Sequence, residues 1–145
     1  MGLLQILRNE VLLTAVLGWF VAQLLKVIIV SIKHRKIDLS RMVGSGGMPS
    51  SHSAFVVALA TRIGSLKGYD SVEFAIAFCF ALVVMYDAAG VRRAAGKQAE
   101  ILNRIIDDLM HNKLKQEKLK ELIGHTPIEV LAGAILGLII GLYYK

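Results

Sequence analysis

Two short stretches of this chain hold the residue types that phosphate chemistry uses. The first, "GGMPSSHSA" (46–54), sets two glycines, a proline, three serines and a histidine ahead of the helical run "AFVVALA". Backbone N–H groups at a helix start attract anions, and hydroxyls and an imidazole beside them add donors. The second, "GHTPIE" (124–129), puts His125 and Glu129 four residues apart. At that helical spacing a carboxylate reaches one imidazole nitrogen and fixes its tautomer. Each stretch also has a plainer reading. A serine caps the helix that follows 46–54, while Thr126, Pro127 and a first-turn Glu129 form an ordinary helix start. Spacing alone leaves both readings open.

Other polar residues stand inside apolar surroundings, where ionisable groups are costly and usually line an interior. Gln23 and Lys26 are spaced i, i+3 and share one helix face; Lys26 either joins an interior site or snorkels to the interface. Asp87 lies one turn before Arg92 and Arg93, close enough to neutralise one of them. Cys79, the single cysteine, falls within an apolar run, which excludes a disulfide framework and a cysteine-based zinc site.

The elements that position these residues follow from hydropathy. Of the 145 residues 55% are hydrophobic, with a mean hydropathy of +0.59. That balance favours a bilayer as solvent. Four apolar segments emerge: 11–32, 54–66, 72–91 and 128–144. The first is long enough for a hydrocarbon core of about 30 Å. It is not a cleaved signal, since no small-x-small site follows and Lys26 breaks the run. The second is short and carries Arg62, so it tilts, re-enters, or extends back through the PSSH stretch. Between the third and fourth, Ile101, Ile105, Leu109, Leu119 and Leu122 recur at helical spacing in an amphipathic insertion, 94–124. On the fourth, Gly133, Gly137 and Gly141 continue the His125/Glu129 face and let another helix approach closely. The expected fold is all-α: a single-domain integral membrane helical bundle (1–145) with about four apolar helices and that insertion. The seam suits packing within one chain or between copies, so a homo-oligomer stays open.

If all four segments cross, the connections 33–53 and 92–127 share one side and carry twelve Lys and Arg, against three on the other. The positive-inside rule puts the twelve in the cytoplasm, together with both chemical stretches. The net charge of +6 suits anionic lipid. Nucleic acid is disfavoured as a partner, because the basic residues flank apolar segments without interleaved aromatics.

Together, "PSSH" and the later "HTPIEVLAGAILG" resemble the type 2 phosphatidic acid phosphatase (PAP2) superfamily. Its typical motifs are Lys-x6-Arg-Pro, Pro-Ser-Gly-His and Ser-Arg-x5-His-x3-Asp. Pro49, Ser50, Ser51 and His52 match the second motif, with Ser51 in place of glycine; His125 and Glu129 match His-x3-Asp, with glutamate in place of aspartate. The layout, including "MYDAAGVRRAAGKQAEILN", is similar to the divergent PAP2 family of small bacterial and plastid membrane proteins across nearly the whole chain. Two features depart from the superfamily pattern: Lys-x6-Arg-Pro is absent, and no Ser-Arg stands five residues before His125.

The resemblance implies a membrane lipid phosphate phosphatase that hydrolyses a phosphomonoester, such as phosphatidylglycerophosphate or phosphatidic acid, with no metal or other cofactor. It implies His125 as nucleophile through a phosphohistidine, Glu129 as the group orienting it, and His52 as acid and then base. Lys26, Ser50, Ser51, Arg92 and Arg93 would bind the phosphate, supported by Gln23, Arg41 and Asp87. The expected location is the inner, or cell, membrane with the site facing the cytoplasm. Two alternatives stand beside this reading. A non-catalytic membrane protein would bind, transport or scaffold phospholipid headgroups with the same cradle. A metal-dependent CDP-alcohol phosphotransferase is disfavoured, because Asp107 and Asp108 are adjacent and not four apart.

Overall fold

The structure is a computed structural model that describes residues 2–35, 47–110, 119 and 124–144. Arg41 and Leu122 lie outside the described residues, as do most of 111–123. Among the described residues six helices follow in order: α1 (Gly2–Ile6), α2 (Glu10–His34), α3 (Ser51–Lys67), α4 (Val72–Ala89), α5 (Val91–Met110) and α6 (Pro127–Tyr143). The all-α membrane bundle expected from the sequence is what forms. Local chemistry sets the helix starts. Asn9, Ser50, Ser71 and Thr126 each accept a backbone N–H of the first turn of α2, α3, α4 and α6, satisfying donors that a helix start leaves without partners.

The core is inverted relative to a water-soluble domain. Among the described residues every buried apolar core residue except Val56 is an alanine, while large residues such as Ile76, Val83 and Leu131 face outward. Bilayer helices cluster through small residues that bring backbones close, because lipid solvates Leu and Ile as well as a protein interior does. At 25 residues, α2 rises about 37 Å, enough to cross the hydrocarbon core.

Helix α3 explains why the second segment looks too short and too polar in the sequence. It extends back to Ser51 as one continuous helix and packs against α2, α4 and α6. Enclosed by its neighbours, it meets protein where the others meet lipid, so small and hydroxylated residues replace long aliphatic ones. Arg62, near its far end, pairs with Glu10 of α2 at 2.7 Å.

The glycine seam of α6 packs within the chain. A Cβ at Gly137 would come within 2.5 Å of the Ala54 carbonyl oxygen, and one at Gly141 would press on Thr61 at 2.5 Å. Gly133 lies over the Ser50 carbonyl and Ser53. The three glycines thus bring α6 against the first, middle and late turns of α3.

After α4 the helix breaks at Gly90, and α5 begins at Val91, three residues earlier than the expected insertion. Gly96, Ala99 and Asn103 are buried, whereas Ile101, Leu102 and Ile105 remain exposed. Asn103 holds the returning chain by accepting from the Leu119 N–H and donating to its carbonyl, each at 2.9 Å.

Candidate functional site

The start of α3, the end of α4 and the start of α6 meet at one end of the bundle. Two main-chain hydrogen bonds fix the junction. The Ser50 N–H donates to the Glu129 carbonyl at 3.0 Å, and the His125 N–H donates to the Ala88 carbonyl at 3.0 Å. His52 and His125, 73 positions apart in the sequence, are thereby brought to a ring-centroid separation of 6.1 Å, with the ring planes inclined at 65°.

Glu129 stands at the third position of α6 and closes a capping box. Its Oε2 accepts from the Thr126 N–H at 3.0 Å, while its own N–H donates to Thr126 Oγ1 at 3.3 Å. The same Oε2 lies 3.2 Å from His125 Nδ1. A carboxylate only accepts, so Nδ1 carries the proton and the neutral ring presents a bare lone pair at Nε2. That Nε2 is buried and has no hydrogen-bond partner, as is His52 Nδ1 across the junction. Buried polar atoms without partners are uncommon in folded proteins and mark places where a ligand group can complete them. Burial pushes the His125 pKa below its ordinary value near 6.5; the hydrogen bond and charge of Glu129 oppose this, and Lys26 and Arg92 add to it.

The cations come from two directions. Lys26 is buried, with its aliphatic stem 3.5 Å from where a Cβ on Gly47 would sit. Gly47 has a φ of +86°, a conformation that favours glycine. Lys26 therefore belongs to the interior and is not a snorkelling anchor. Arg92 donates from Nε to Asp87 Oδ2 at 2.6 Å, the neutralising pair that the sequence allowed. Lys26 and Arg92 both act electrostatically on both imidazoles. Gln23, one turn from Lys26, is buried with an unpartnered Oε1.

Other residues singled out in the sequence hold less direct positions. Ser50 is buried and its hydroxyl serves as the α3 cap, accepting from the Ser53 N–H at 3.4 Å. Ser51 is buried in the first turn. Arg93 has an exposed side chain, and its backbone passes against Gly124. A Cβ at Gly124 would overlap the Arg93 backbone, so glycine is what lets the chain return to His125 beside the start of α5. The close approach is made by the Arg93 backbone, and the cations that act on the His125 imidazole are Lys26 and Arg92.

Two features escape sequence reasoning. Ser53 Oγ is buried and unpartnered beside Gly133, and its place in "SSHSA" offered no spacing signal. A cavity of about 480 Å3 runs from His52, Asp87 and Arg92 along an apolar wall that includes Trp19 and Phe80. Those wall residues resemble any lipid-facing stripe until the helices are assembled.

The sequence pattern of the family described as "Divergent PAP2 family" matches residues 7–140. The chain is 42% identical over 151 aligned residues to the uncharacterized membrane protein YuiD of Bacillus subtilis, covering 96% of each. No solved structure matches. With the family pattern spanning residues 7–140 and a 42% identical relative matched over 96% of both chains, the chain belongs to the divergent PAP2 family.

Proposed function

We propose that this protein is a metal-independent lipid phosphate phosphatase acting at the cytoplasmic face of the cell membrane. The observation that carries the reading is the pair of buried imidazole nitrogens, His125 Nε2 and His52 Nδ1, without partners on rings 6.1 Å apart. In-line transfer needs a nucleophile about 3–3.5 Å from phosphorus and an acid within about 3 Å of the leaving oxygen. The ring separation is on the scale of one phosphate group.

His125 Nε2 attacks phosphorus and forms an N–P bond as the ester P–O bond breaks. His52, as imidazolium, gives its proton to the departing alkoxide. A phosphate dianion at the site favours that charged form of His52. Water then attacks the phosphohistidine, His52 takes a proton from it, and inorganic phosphate leaves as the N–P bond breaks. Glu129 holds the His125 ring and stabilises its positive charge in the intermediate. Lys26, Arg92 and the first-turn N–H groups of α3 hold the equatorial oxygens, with Ser50, Ser51 and Arg93 at the rim and Gln23 and Asp87 supporting the cations.

Lipid monoesters made on the inner leaflet, phosphatidylglycerophosphate and phosphatidic acid, are the substrates this location favours. Purified protein in detergent is expected to release inorganic phosphate from one of them without added magnesium. His125→Ala is expected to lower the rate by about 10³-fold or more. Lipid binding without turnover, unaffected by that substitution, would instead mark a headgroup-binding protein.

A further inference from the structure

The cavity that reaches His52 has two chemically different ends. Helix α4 contributes Phe80, Val83, Val84 and Asp87, an i, i+3, i+4, i+7 stripe along one face. From α3 come His52, Phe55 and Val56, again one face, and α2 adds Trp19. Polar atoms gather at the His52, Asp87 and Arg92 end, and the remaining wall is aromatic and aliphatic. The cavity volume of about 480 Å3 lies within the range of small-ligand sites, about 300–1,000 Å3.

Its outer lip is built from residues that face the bilayer. Val83 is 66% exposed and Phe80 51%. A ligand seated here touches lipid on one side and the histidine junction at its head. From Phe80 to Asp87 the stripe rises about 10 Å, roughly a third of a hydrocarbon core.

We propose that this groove seats the headgroup-proximal third of one hydrocarbon chain of the phosphate-bearing lipid, and so selects membrane amphiphiles over water-soluble phosphate esters. The proposal rests on the phosphatase reading for the identity of the head. It rests on the groove's own chemistry for the tail: the His52 imidazole and the Arg92–Asp87 pair at one end, bare apolar wall beyond. Carbons past the reach of Phe80 lie in ordinary lipid and contribute no selectivity.

Trp19 is the only tryptophan and lines the groove, so its fluorescence reports occupancy independently of turnover. The full-length protein is placed in phosphatidylcholine nanodiscs that contain a dibrominated-chain phosphonate analogue of phosphatidic acid. A parallel sample holds dibrominated phosphatidylcholine at the same mole fraction. The phosphonate is expected to quench Trp19 more, most strongly with bromines on the first third of the chain. Val83→Phe combined with Val84→Phe is expected to abolish the excess. Equal quenching by the two lipids, or an excess that survives in the filled variant, overturns the proposal.

A wild-type competition series removes dependence on that variant folding. Unbrominated phosphatidic acids of increasing chain length are expected to displace the probe more tightly until the chain spans the groove, gaining about tenfold or more overall, and then to level off. Affinity independent of chain length from the shortest upward also overturns it. The two readings fail separately. Phosphate release without excess quenching removes the groove and keeps the phosphatase; excess quenching without release from any lipid removes the phosphatase and keeps the groove.

Discussion

Glu129 Oε2 serves two neighbours at once, the Thr126 N–H at 3.0 Å and His125 Nδ1 at 3.2 Å. A glutamate stands where the wider superfamily has aspartate, and here one carboxylate both closes a capping box and reaches back a full turn. Thr126→Ala removes one half of the box and is expected to cost about 1 kcal/mol of stability, measured by thermal unfolding in detergent. The buried His125 adds a pH dependence with a definite sign. Its pKa is lowered in the fold, so between that value and 6.5 the unfolded chain binds more protons. The stability tied to the neutral ring is fully present above pH 6.5 and is lost as the pH falls through the lowered value. Wild type is expected to lose melting temperature on acidification below 6.5, and His125→Gln to lose less; parallel curves would contradict the assignment. At this scale the sequence was highly legible, because His125, Glu129, Thr126 and Pro127 interact within five residues. Ser53 and Gly124 were not legible, since their roles depend on Gly133 and on the Arg93 backbone, both distant along the chain.

Helix α3 carries the interior, and α6 docks on it through three glycines. Gly137→Val would force β-carbon and methyl groups against the Ala54 carbonyl, which already lies 2.5 Å from the position of a Cβ. Overpacking of this kind costs about 1–3 kcal/mol. Because His125 rides at the start of α6, the same change is expected to slow phosphate release along with lowering the melting temperature. Gly2→Ala, where nothing lies within 4 Å, is expected to change neither. The periodicity of the glycines and the start of α6 were readable from spacing. Whether the seam faced this chain or a second one was not, because small residues at i, i+4 specify close approach without specifying the partner. The length of α3 was ambiguous for a related reason: hydropathy measures preference for lipid, and this helix is surrounded by protein.

Across the whole molecule, Lys26 and Arg92 act on the histidines at one end, while Glu10 and Arg62 pair near the other. Orientation in the membrane is open to direct measurement. In a Cys79→Ser background, a cysteine at exposed Lys67 is expected to react with a membrane-impermeant maleimide in intact cells. One at exposed Gln98 is expected to react only after permeabilisation. The reverse pattern would turn the site outward and redirect the search for substrates to the outer leaflet. The four apolar helices and their order were readable from hydropathy, whereas the short α1 was not foreseen. The lateral groove was not, since it exists only where the stripes of α2, α3 and α4 converge.

The bonds that hold the junction from Ser50 to Glu129 and from His125 to Ala88 run entirely between main-chain atoms, each at 3.0 Å. Replacing an imidazole therefore leaves the frame that positioned it in place. If the proposed phosphatase reading holds, a protein disabled at His125 but still assembled is expected to act as a bait that its natural lipid enters and occupies without being converted. Extraction of His125→Ala from cells in mild detergent, followed by mass spectrometry of the co-purified lipids, turns that durability into a way of reading the ligand from the cell itself.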